Sequence, residues 1–536
     1  MEIVAAAVVI GGVTLFAVAT QLPSKAFNSH DDFEKYFAYP VRMLATGTLN
    51  GGPLSALGSE ALGGQTFLHG FVASLWPIGY INGVDAVFCL TTLMLLGASA
   101  SWKRFSWFPG AVLGPLLIAA VNPQYVNVSA LYSGALLMGT AVMLVGGEGE
   151  GRRPSALVMG LLYGALIALK PSFAIFPMLQ LALLVAAWRF EGRSSGSGSE
   201  TFRWAAKTSA WTILLVAPWV VIHIPAYFAH GSSVKVPVPA GSEGSLNLLS
   251  PAPLFYGASF LAYSAIAVAA AVAAVLALIA SRRYGGVASE ERGGVGFATG
   301  TAVGATSGVI CYLITVTVLG RAFGYAQSLR LSIPFLLGAC VISILMVAPE
   351  RSVARTTSAS CFSLAARITI VALFVPAAAA RYRQAAQFGT ILAFRDLADS
   401  SSYLTYNQFW LSPAGKQYIA SFQDKVPAGE PLLEWINTPF LLDYKRNAVF
   451  DADTVGLASP WARVPGNVRY VLWQYQGPEV RMQGDYVRVM HGAGYRERMV
   501  AACSLAFAGR LSQAAQNADV IASDGYFVLF RLRGAL

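Results

Sequence analysis

Acidic residues cluster directly after the first apolar segment of the chain, in the run HDDFEKY at 30–36. Adjacent carboxylates at the edge of a membrane repel each other, and the nearby hydrocarbon disfavours their charge. The run is predicted to begin a short helix, whose electropositive N-terminus would keep a carboxylate ionised and able to act as a general base. Asp31 and Asp32 are therefore candidate bases. A solvated pair of loop charges is the alternative.

The elements that must position these residues belong to a membrane protein. Of the 536 residues, 55% are hydrophobic and 12% are charged, and the mean hydropathy is +0.56. This composition is typical of a polytopic membrane protein. The net charge of +10 is explained by basic cytoplasmic loops rather than by nucleic-acid binding. The five cysteines have no spacing typical of zinc or of disulfides.

Apolar segments long enough to span a bilayer recur along the chain, about eleven in all. They lie at roughly 3–21, 81–100, 107–122, 128–145, 155–170, 173–189, 206–228, 254–280, 296–319, 331–348 and 363–380. Basic residues such as Lys103, Arg152 and Arg282 fall in every second loop, which the positive-inside rule places in the cytoplasm. The first loop, at about 22–80, and the C-terminus are then outside.

The composition changes after about residue 381, where charged and polar residues become common. Segments beginning at Pro431, Val468 and Tyr526 are rich in aromatic and β-branched residues, which predicts strands. Segments 412–422 and 500–517 are predicted as helices. Roughly 155 residues suffice for one small domain with its own core. We therefore expect an α/β domain at 381–536, on the outer face.

The topology restricts which acids could react at the outer face. Outside the C-terminal region, the carboxylates on or near that face are Asp31, Asp32, Glu34, Glu60, Asp85 and Glu243. Asp85 is equally well explained by capping or anchoring the second span. The first-loop acids therefore remain the main candidates.

The pattern around Asp32 resembles the first outer loop of the GT-C superfamily. These membrane glycosyltransferases use polyprenyl-phosphate sugars, and they include the lipid A aminoarabinose transferase and the protein mannosyltransferases. Tyr36 follows Asp32 by one helical turn, and the run RMLATG follows at 42–47. The spacing from Asp32 to Gly47 matches Asp32, rather than Asp31, to the catalytic aspartate of that family.

The resemblance implies an inverting transferase that moves a sugar from a polyprenyl-phosphate carrier to an acceptor hydroxyl. Asp32 would take the acceptor proton, with Asp31 as a second acid or orienting group. The first loop would shape a substrate pocket, to which we assign Tyr36, Arg42, Glu60 and His69.

The implied architecture has about eleven transmembrane helices within residues 1–380, followed by a periplasmic α/β domain at 381–536. The enzyme would lie in a bacterial inner membrane. Its partners would be the polyprenyl-phosphate sugar, the lipid bilayer and a glycan, lipid or protein acceptor. Nucleic acid is not expected as a partner.

Fixed cations would be needed to stabilise the charge that builds on the departing phosphate. Arg321 and Arg330 lie in the outer loop before the tenth span, where GT-C proteins often carry Arg or His, and Arg can bind phosphate through two hydrogen bonds. Lys170 follows a long apolar span and is a third candidate for binding the phosphate. The alternative interpretation is that its side chain only extends to the membrane interface. No cofactor is indicated, no metal ligands are assigned, and use of a divalent metal is left open.

Two further acids, Asp451 and Asp453, follow the turn-like run DYKRN at 443–447. The pattern predicts a solvated surface turn, with recognition of an acceptor glycan as the alternative.

Two other functions compete with the transferase. An O-antigen-ligase-like enzyme would need a long outer loop late in the bundle, whereas this chain has its acids in the first loop. A transporter or flippase would show internal repeats and ionisable residues near the midplane, which the apolar segments lack.

Overall fold

The computed structural model is a largely helical chain that ends in an α/β sheet domain. It describes residues 2–21, 32–102, 110–121, 130–147, 153–191, 198–228, 233–236, 263–272, 275, 293–319, 331–347, 408–474, 495–534 and 536. Three predicted site residues lie outside the described ranges, namely Asp31, Arg321 and Arg330. The predicted span at 363–380 lies outside them as well.

Helices that coincide with the predicted apolar segments make up most of the chain before residue 348. In chain order the helices are α1 (Glu2–Gln21), α2 (Ala38–Thr46), α3 (Gly64–Leu75), α4 (Leu90–Ser101), α5 (Gly110–Val121), α6 (Leu131–Gly147), α7 (Ala156–Leu169), α8 (Ile175–Glu191), α9 (Gly198–Val221), α10 (Ile224–Phe228), α11 (Tyr263–Val272), α12 (Gly293–Ile314) and α13 (Ile342–Val347). Helices α2 and α3 belong to the first loop rather than to the apolar segments.

Four helical stretches of the described residues are long and apolar enough to cross a membrane. They are Ile78–Ser101, Pro171–Arg189, Gly198–Phe228 and Thr299–Val318. Shorter apolar helices lie at Glu2–Val18, Leu131–Gly146, Ala156–Leu169, Tyr263–Val272 and Leu331–Met346. These helices indicate a membrane protein with several candidate spans among the described residues, and the count of about eleven stays a prediction.

Close contacts between these helices are made at glycines. A Cβ at Gly114 in α5 would lie 2.3 Å from the backbone of Gly97 in α4. A Cβ at Gly338 would lie 2.3 Å from the carbonyl oxygen of Ala135 in α6. Small residues let the backbones of membrane helices approach closely, so packing in this region depends on the absence of side chains at these points.

The C-terminal domain is built on a five-stranded sheet. The strands of the chain are β1 (Ser233–Lys235), β2 (Leu432–Trp435), β3 (Val449–Asp451), β4 (Arg463–Pro465), β5 (Tyr470–Gln474), β6 (Asp519–Ser523) and β7 (Phe527–Arg531), and the domain helices are α14 (Pro413–Gln423) and α15 (Tyr495–Gln516). The sheet order is β3-β2-β5-β7-β6. Strand β2 is parallel to β3 and to β5, and β7 is antiparallel to its neighbours. The three predicted strands and both predicted helices are confirmed.

The first loop forms part of the core of this domain. Strands β2, β5 and β7 are buried on both faces, as their apolar sequences require. On one face, Trp435 packs against Phe507 of α15 with ring centroids 5.3 Å apart. On the other, Leu432 and Leu529 share a buried cluster with Phe33 and Phe37 of the first loop. The acidic run at 32–37 is thereby held against the sheet.

A second contact ties the domain to the membrane helices. Strand β1, which follows α10, pairs antiparallel with β4, and Val236 beside it is buried in the core of the domain. The loop after α10 and the first loop therefore both anchor the sheet domain.

Candidate active site

Asp32 opens a π-helix, Asp32–Phe37, that continues directly into α2. Asp32 is fully buried, and Glu34 is 2% exposed. The rings of Phe33 and Phe37 lie 5.1 and 5.3 Å from the ring of Phe440 in the sheet domain. The predicted helix start is confirmed, and burial excludes a solvated loop charge for Asp32.

Arg42 in α2 joins the first loop to the carboxyl end of β3. Its Nη1 donates to Oδ2 of Asp451 at 2.8 Å. The hydroxyl of Tyr444 donates to the other carboxylate oxygen of Asp451 at 2.9 Å. The Asp451 side chain is 1% exposed and that of Arg42 is 13% exposed, so this ion pair is largely shielded from water.

Asp453 binds two separate parts of the first loop through one carboxylate. Its Oδ2 accepts a hydrogen bond from the Tyr39 hydroxyl and another from the backbone N–H of Ala56, both at 2.6 Å. Its Oδ1 accepts from the backbone N–H of Gly456 at 2.5 Å. Because one carboxylate accepts from both Tyr39 and Ala56, Asp453 fixes α2 relative to the later part of the loop.

The prediction of a solvated surface turn is wrong for Asp451 and Asp453, each of which is 1% exposed. Their partners Arg42 and Tyr39 are 409 and 414 residues away in sequence. Local sequence gives no sign of such partners, and isolated aspartates after a turn favour exposure. Within the run DYKRN at 443–447, only Asp443 and Lys445 are exposed as a surface turn would be.

Two glutamates complete the buried set. Glu34 accepts a hydrogen bond from the backbone N–H of Thr454 at 3.1 Å, and Glu434 accepts one from the N–H of Ile436 at 3.0 Å. Burial, and then the charge of Asp451, raise the pKa of Glu434 well above its usual value. Burial also raises the pKa of Asp451, and the Arg42 guanidinium opposes that rise. Glu434 therefore holds its proton more tightly than an exposed glutamate does, beside a carboxylate that is paired with arginine.

We call this buried set the acidic junction. Its members are Glu34, Tyr39, Arg42, Glu434, Tyr444, Asp451 and Asp453. Arg42 is the member that the sequence assigned to the site, where it was expected to face substrate. The sequence missed Glu434, although a carboxylate within the apolar strand LLEW is a signal that could have found it. Tyr444 and Asp453 carry no comparable signal.

His69 in α3 lies against the acidic run. It is 1% exposed, and burial lowers its pKa to about 4, a change that a hydrogen bond with the Tyr36 backbone partly offsets. The rings of His69 and Tyr36 are 6.2 Å apart. The structure thus brings together two of the predicted pocket residues, with the histidine neutral at neutral pH.

Lys170 directly follows the last residue of α7. A Cβ at Gly64, the first residue of α3, would lie 2.6 Å from the backbone of Ala168. The start of α3 therefore touches the end of α7, and Lys170 lies at the same end of the bundle as the acidic run.

Glu60 is held by the sheet domain. Its carboxylate forms an ion pair with Arg496 in α15, and Arg496 also donates to the carbonyl of Ala458. In this position Glu60 ties the Gly-rich part of the first loop to the domain.

The sequence interpretation that Asp85 caps or anchors the second span is corrected by the structure, which places its carboxylate at the N-terminus of α6. Asp85 accepts from the backbone N–H of Ser133 at 2.7 Å and from its hydroxyl at 2.6 Å. An anionic side chain at a helix N-terminus is stabilising.

Within the part of the chain that the structure describes, no group of three or more His, Cys, Asp or Glu side chains could hold a metal ion. The acidic junction is therefore a set of acids held by arginine, tyrosine and backbone donors.

No protein-family model matches the chain, and none of the curated proteins matches its sequence. Its overall structure is similar to that of the archaeal oligosaccharyltransferase AglB from Archaeoglobus fulgidus in complex with an inhibitory peptide and a dolichol-phosphate. The TM-score is 0.46 at 12% identity, over 92% of this chain and 72% of that chain. The apo form of the Archaeoglobus fulgidus oligosaccharyltransferase gives 0.47 at 11% identity over the same shares.

Proposed function

We propose that the chain is an inverting membrane glycosyltransferase that moves a sugar from a polyprenyl-phosphate carrier to an acceptor hydroxyl. The observation that carries the proposal is the position of Asp32. This carboxylate opens the π-helix after the first apolar helix and is fully buried. The next residue, Phe33, packs on Phe440 of the sheet domain. A buried carboxylate in a membrane protein is energetically unfavourable, and such residues commonly mark functional sites.

In this mechanism Asp32 acts as the general base. The acceptor oxygen attacks the anomeric carbon of the sugar while Asp32 takes its proton. The bond between that carbon and the phosphate oxygen breaks, and the phosphate leaves with the electron pair. Attack from the face opposite to the leaving group inverts the configuration. Asp31 is the proposed second acid or orienting group.

Cations at the same end of the bundle would stabilise the leaving phosphate. Lys170 is supported by the contact between the end of α7 and the start of α3, the helix whose His69 packs on Tyr36. Arg330 and Arg321 are proposed for the same task on the grounds of their sequence positions. A flexible lysine and two arginines would together neutralise a dianionic phosphate.

The acidic junction has a positioning role in this proposal. Arg42 and Tyr39 hold α2 through Asp451 and Asp453, and α2 continues from the π-helix that Asp32 opens. Because general-base catalysis depends on the geometry of the base, a fixed π-helix keeps Asp32 where the acceptor must arrive. The sheet domain would cover the site and select the acceptor.

We further propose that this site faces the periplasm of a bacterial inner membrane. The basic loops predicted for the cytoplasm support this orientation. The orientation is tested with a Val520→Cys variant, which carries the new thiol in the sheet domain. Spheroplasts, which have lost the outer membrane but keep the inner membrane intact, are treated with a membrane-impermeant maleimide, and the thiol should be labelled. Labelling only after the inner membrane is lysed would reverse the orientation.

The reaction is tested by sugar transfer in membranes supplied with radiolabelled polyprenyl-phosphate sugars. Asp32→Asn keeps the shape of the side chain but removes the base, so a loss of roughly 100-fold or more is expected. Asp424→Asn is the matched control, because Asp424 is an aspartate of the sheet domain whose side chain is 67% exposed. The Asp31→Asn variant, measured in the same assay, shows whether the adjacent acid also contributes to transfer. Full activity of Asp32→Asn would refute the mechanism.

A further inference from the structure

Helix α3 has one face packed on protein and one face of exposed apolar residues. His69 and Val72 on the first face are 1% and 6% exposed. The opposite face carries Phe67, Phe71 and Leu75, which are 53%, 57% and 58% exposed. These three residues are spaced by four, so they line one side of the helix. Trp76 and Tyr80 extend the row beyond its end, and we call these five residues the apolar stripe.

The sequence around the stripe carries no acidic or basic side chain of the Asp, Glu, Lys or Arg type. No Asp, Glu, Lys or Arg lies between Glu60 and Asp85. Ser74, the polar residue beside the stripe, donates its hydroxyl to the carbonyl of Phe71 at 2.7 Å, so its donor is satisfied within the helix. Solvent-facing helices of globular proteins normally carry charged residues on the exposed side. The stripe is therefore built for an apolar environment.

The position of α3 identifies that environment. The ring of Phe67 lies 6.1 Å from the ring of Trp219, which belongs to the candidate span Gly198–Phe228. Only 11% of the most apolar 18-residue stretch of that span is buried within the protein, which leaves a large apolar surface that a bilayer would cover. The chain after α3 enters the next candidate span at Ile78. The stripe thus continues a lipid-facing surface, at the point where the chain enters the membrane.

We propose that α3 lies in the membrane interface, with the apolar stripe in contact with the hydrocarbon of the bilayer. Trp76 and Tyr80 have the side chains that favour the boundary between hydrocarbon and water. The opposite face of α3 carries His69 against Tyr36, so the acidic run lies about one helix diameter, roughly 10 Å, from the lipid. The placement of α3 rests on burial and contacts, and it holds whether or not the proposed reaction is correct.

Collision of spin labels with two relaxing agents tests this placement in the full chain reconstituted into lipid nanodiscs. Single Phe71→Cys and Leu75→Cys variants carry the label, and Val520→Cys is the control, since Val520 in β6 is 59% exposed on the sheet domain. The described native cysteines are buried, and unsubstituted protein measures their background. Molecular oxygen concentrates in hydrocarbon, whereas a neutral nickel chelate stays in water. The ratio of oxygen to nickel collisions should be severalfold higher at both α3 positions than at Val520.

A ratio at Phe71 and Leu75 equal to that at Val520 would overturn the proposal. Hydroxyl-radical footprinting of the unsubstituted protein in the same nanodiscs gives an answer that does not depend on the variants folding. Phe67 and Phe71 should be protected relative to Trp461 of the sheet domain, which is 48% exposed. Equal oxidation of these aromatic residues would contradict a lipid-covered stripe. Neither measurement requires turnover, so failure here is distinct from failure of the transferase mechanism.

Discussion

The acidic junction and the helix contacts of the membrane region are both buried, but opposite features hold them together. The junction depends on named donors and acceptors, such as the 2.8 Å ion pair between Arg42 and Asp451. The helices depend on missing side chains, as where Gly114 faces the backbone of Gly97. The junction should therefore be sensitive to loss of a partner charge, whereas the helices should be sensitive to added volume. Each of the following changes tests one side of this contrast.

The largest effect is expected at the ion pair. Arg42→Met leaves Asp451 as a buried charge without its cation and should lower the free energy of unfolding by about 3–5 kcal/mol. Thermal unfolding of the purified protein in detergent, with hydrogen exchange in β3 as the local readout, measures the loss. Adding Asp451→Asn should restore part of it, because the stranded charge is removed. A double variant no more stable than Arg42→Met would show that charge is not the cause.

In the helices, volume is the sensitive quantity. Gly114→Ala places a methyl group 2.3 Å from the backbone of Gly97 and should destabilise the protein by about 1–3 kcal/mol. Gly12→Ala in α1 is the control, because nothing lies within 4 Å of a Cβ there. Alanine favours helix over glycine, so this control should be neutral or slightly stabilising. Equal losses of thermal stability in both variants would contradict the claim that added volume at the helix contact is the cause.

The raised pKa of Glu434 in the acidic junction predicts that stability depends on pH. The raised folded pKa of Glu434 means that the folded protein keeps a proton that the unfolded chain releases above about pH 4.5. Stability should therefore fall as pH rises from that value toward the folded pKa, by up to about 1.4 kcal/mol per pH unit. Glu434→Gln is always neutral and still accepts from Ile436, so it should flatten this slope. Unfolding curves from pH 5 to 9 compare the two proteins, and identical slopes would count against a buried neutral acid.

The smallest effect is expected where the loop meets α15. Glu60 is 34% exposed, so its ion pair with Arg496 is screened by water. Glu60→Gln should cost less than about 1 kcal/mol, and the cost should shrink further at high salt. The same unfolding assay at low and high salt is the measurement. A loss as large as that of Arg42→Met would mean that burial does not separate the two ion pairs.

Much of the architecture could be predicted because its signals are local. Long apolar segments mark the membrane helices, and aromatic and β-branched runs mark β2, β5 and β7. The spacing from Asp32 to Tyr36 marks the helix of the first loop. Strand β3 could not be predicted, since its three residues are too few to show a period and it exists by pairing with β2.

The candidate site could be predicted only in part. The order of residues after the first apolar segment singles out Asp32, Tyr36 and Arg42, and their roles at a substrate stay predictions. The sequence predicts that Arg42 faces substrate, whereas the structure pairs it with Asp451. No spacing rule connects residues about 400 positions apart, as this pair is.

The sequence by itself determined that this is a membrane protein, that an acidic helix follows its first apolar segment, and that an α/β domain ends it. Each of these follows from composition or from a short period. Only the tertiary structure decided that Asp451, Asp453 and Glu434 are buried against the first loop. Burial of a carboxylate is unfavourable until donors satisfy it, and these donors come from both ends of the chain. The state of each acid is therefore fixed by its partners, which the folded chain alone brings within reach.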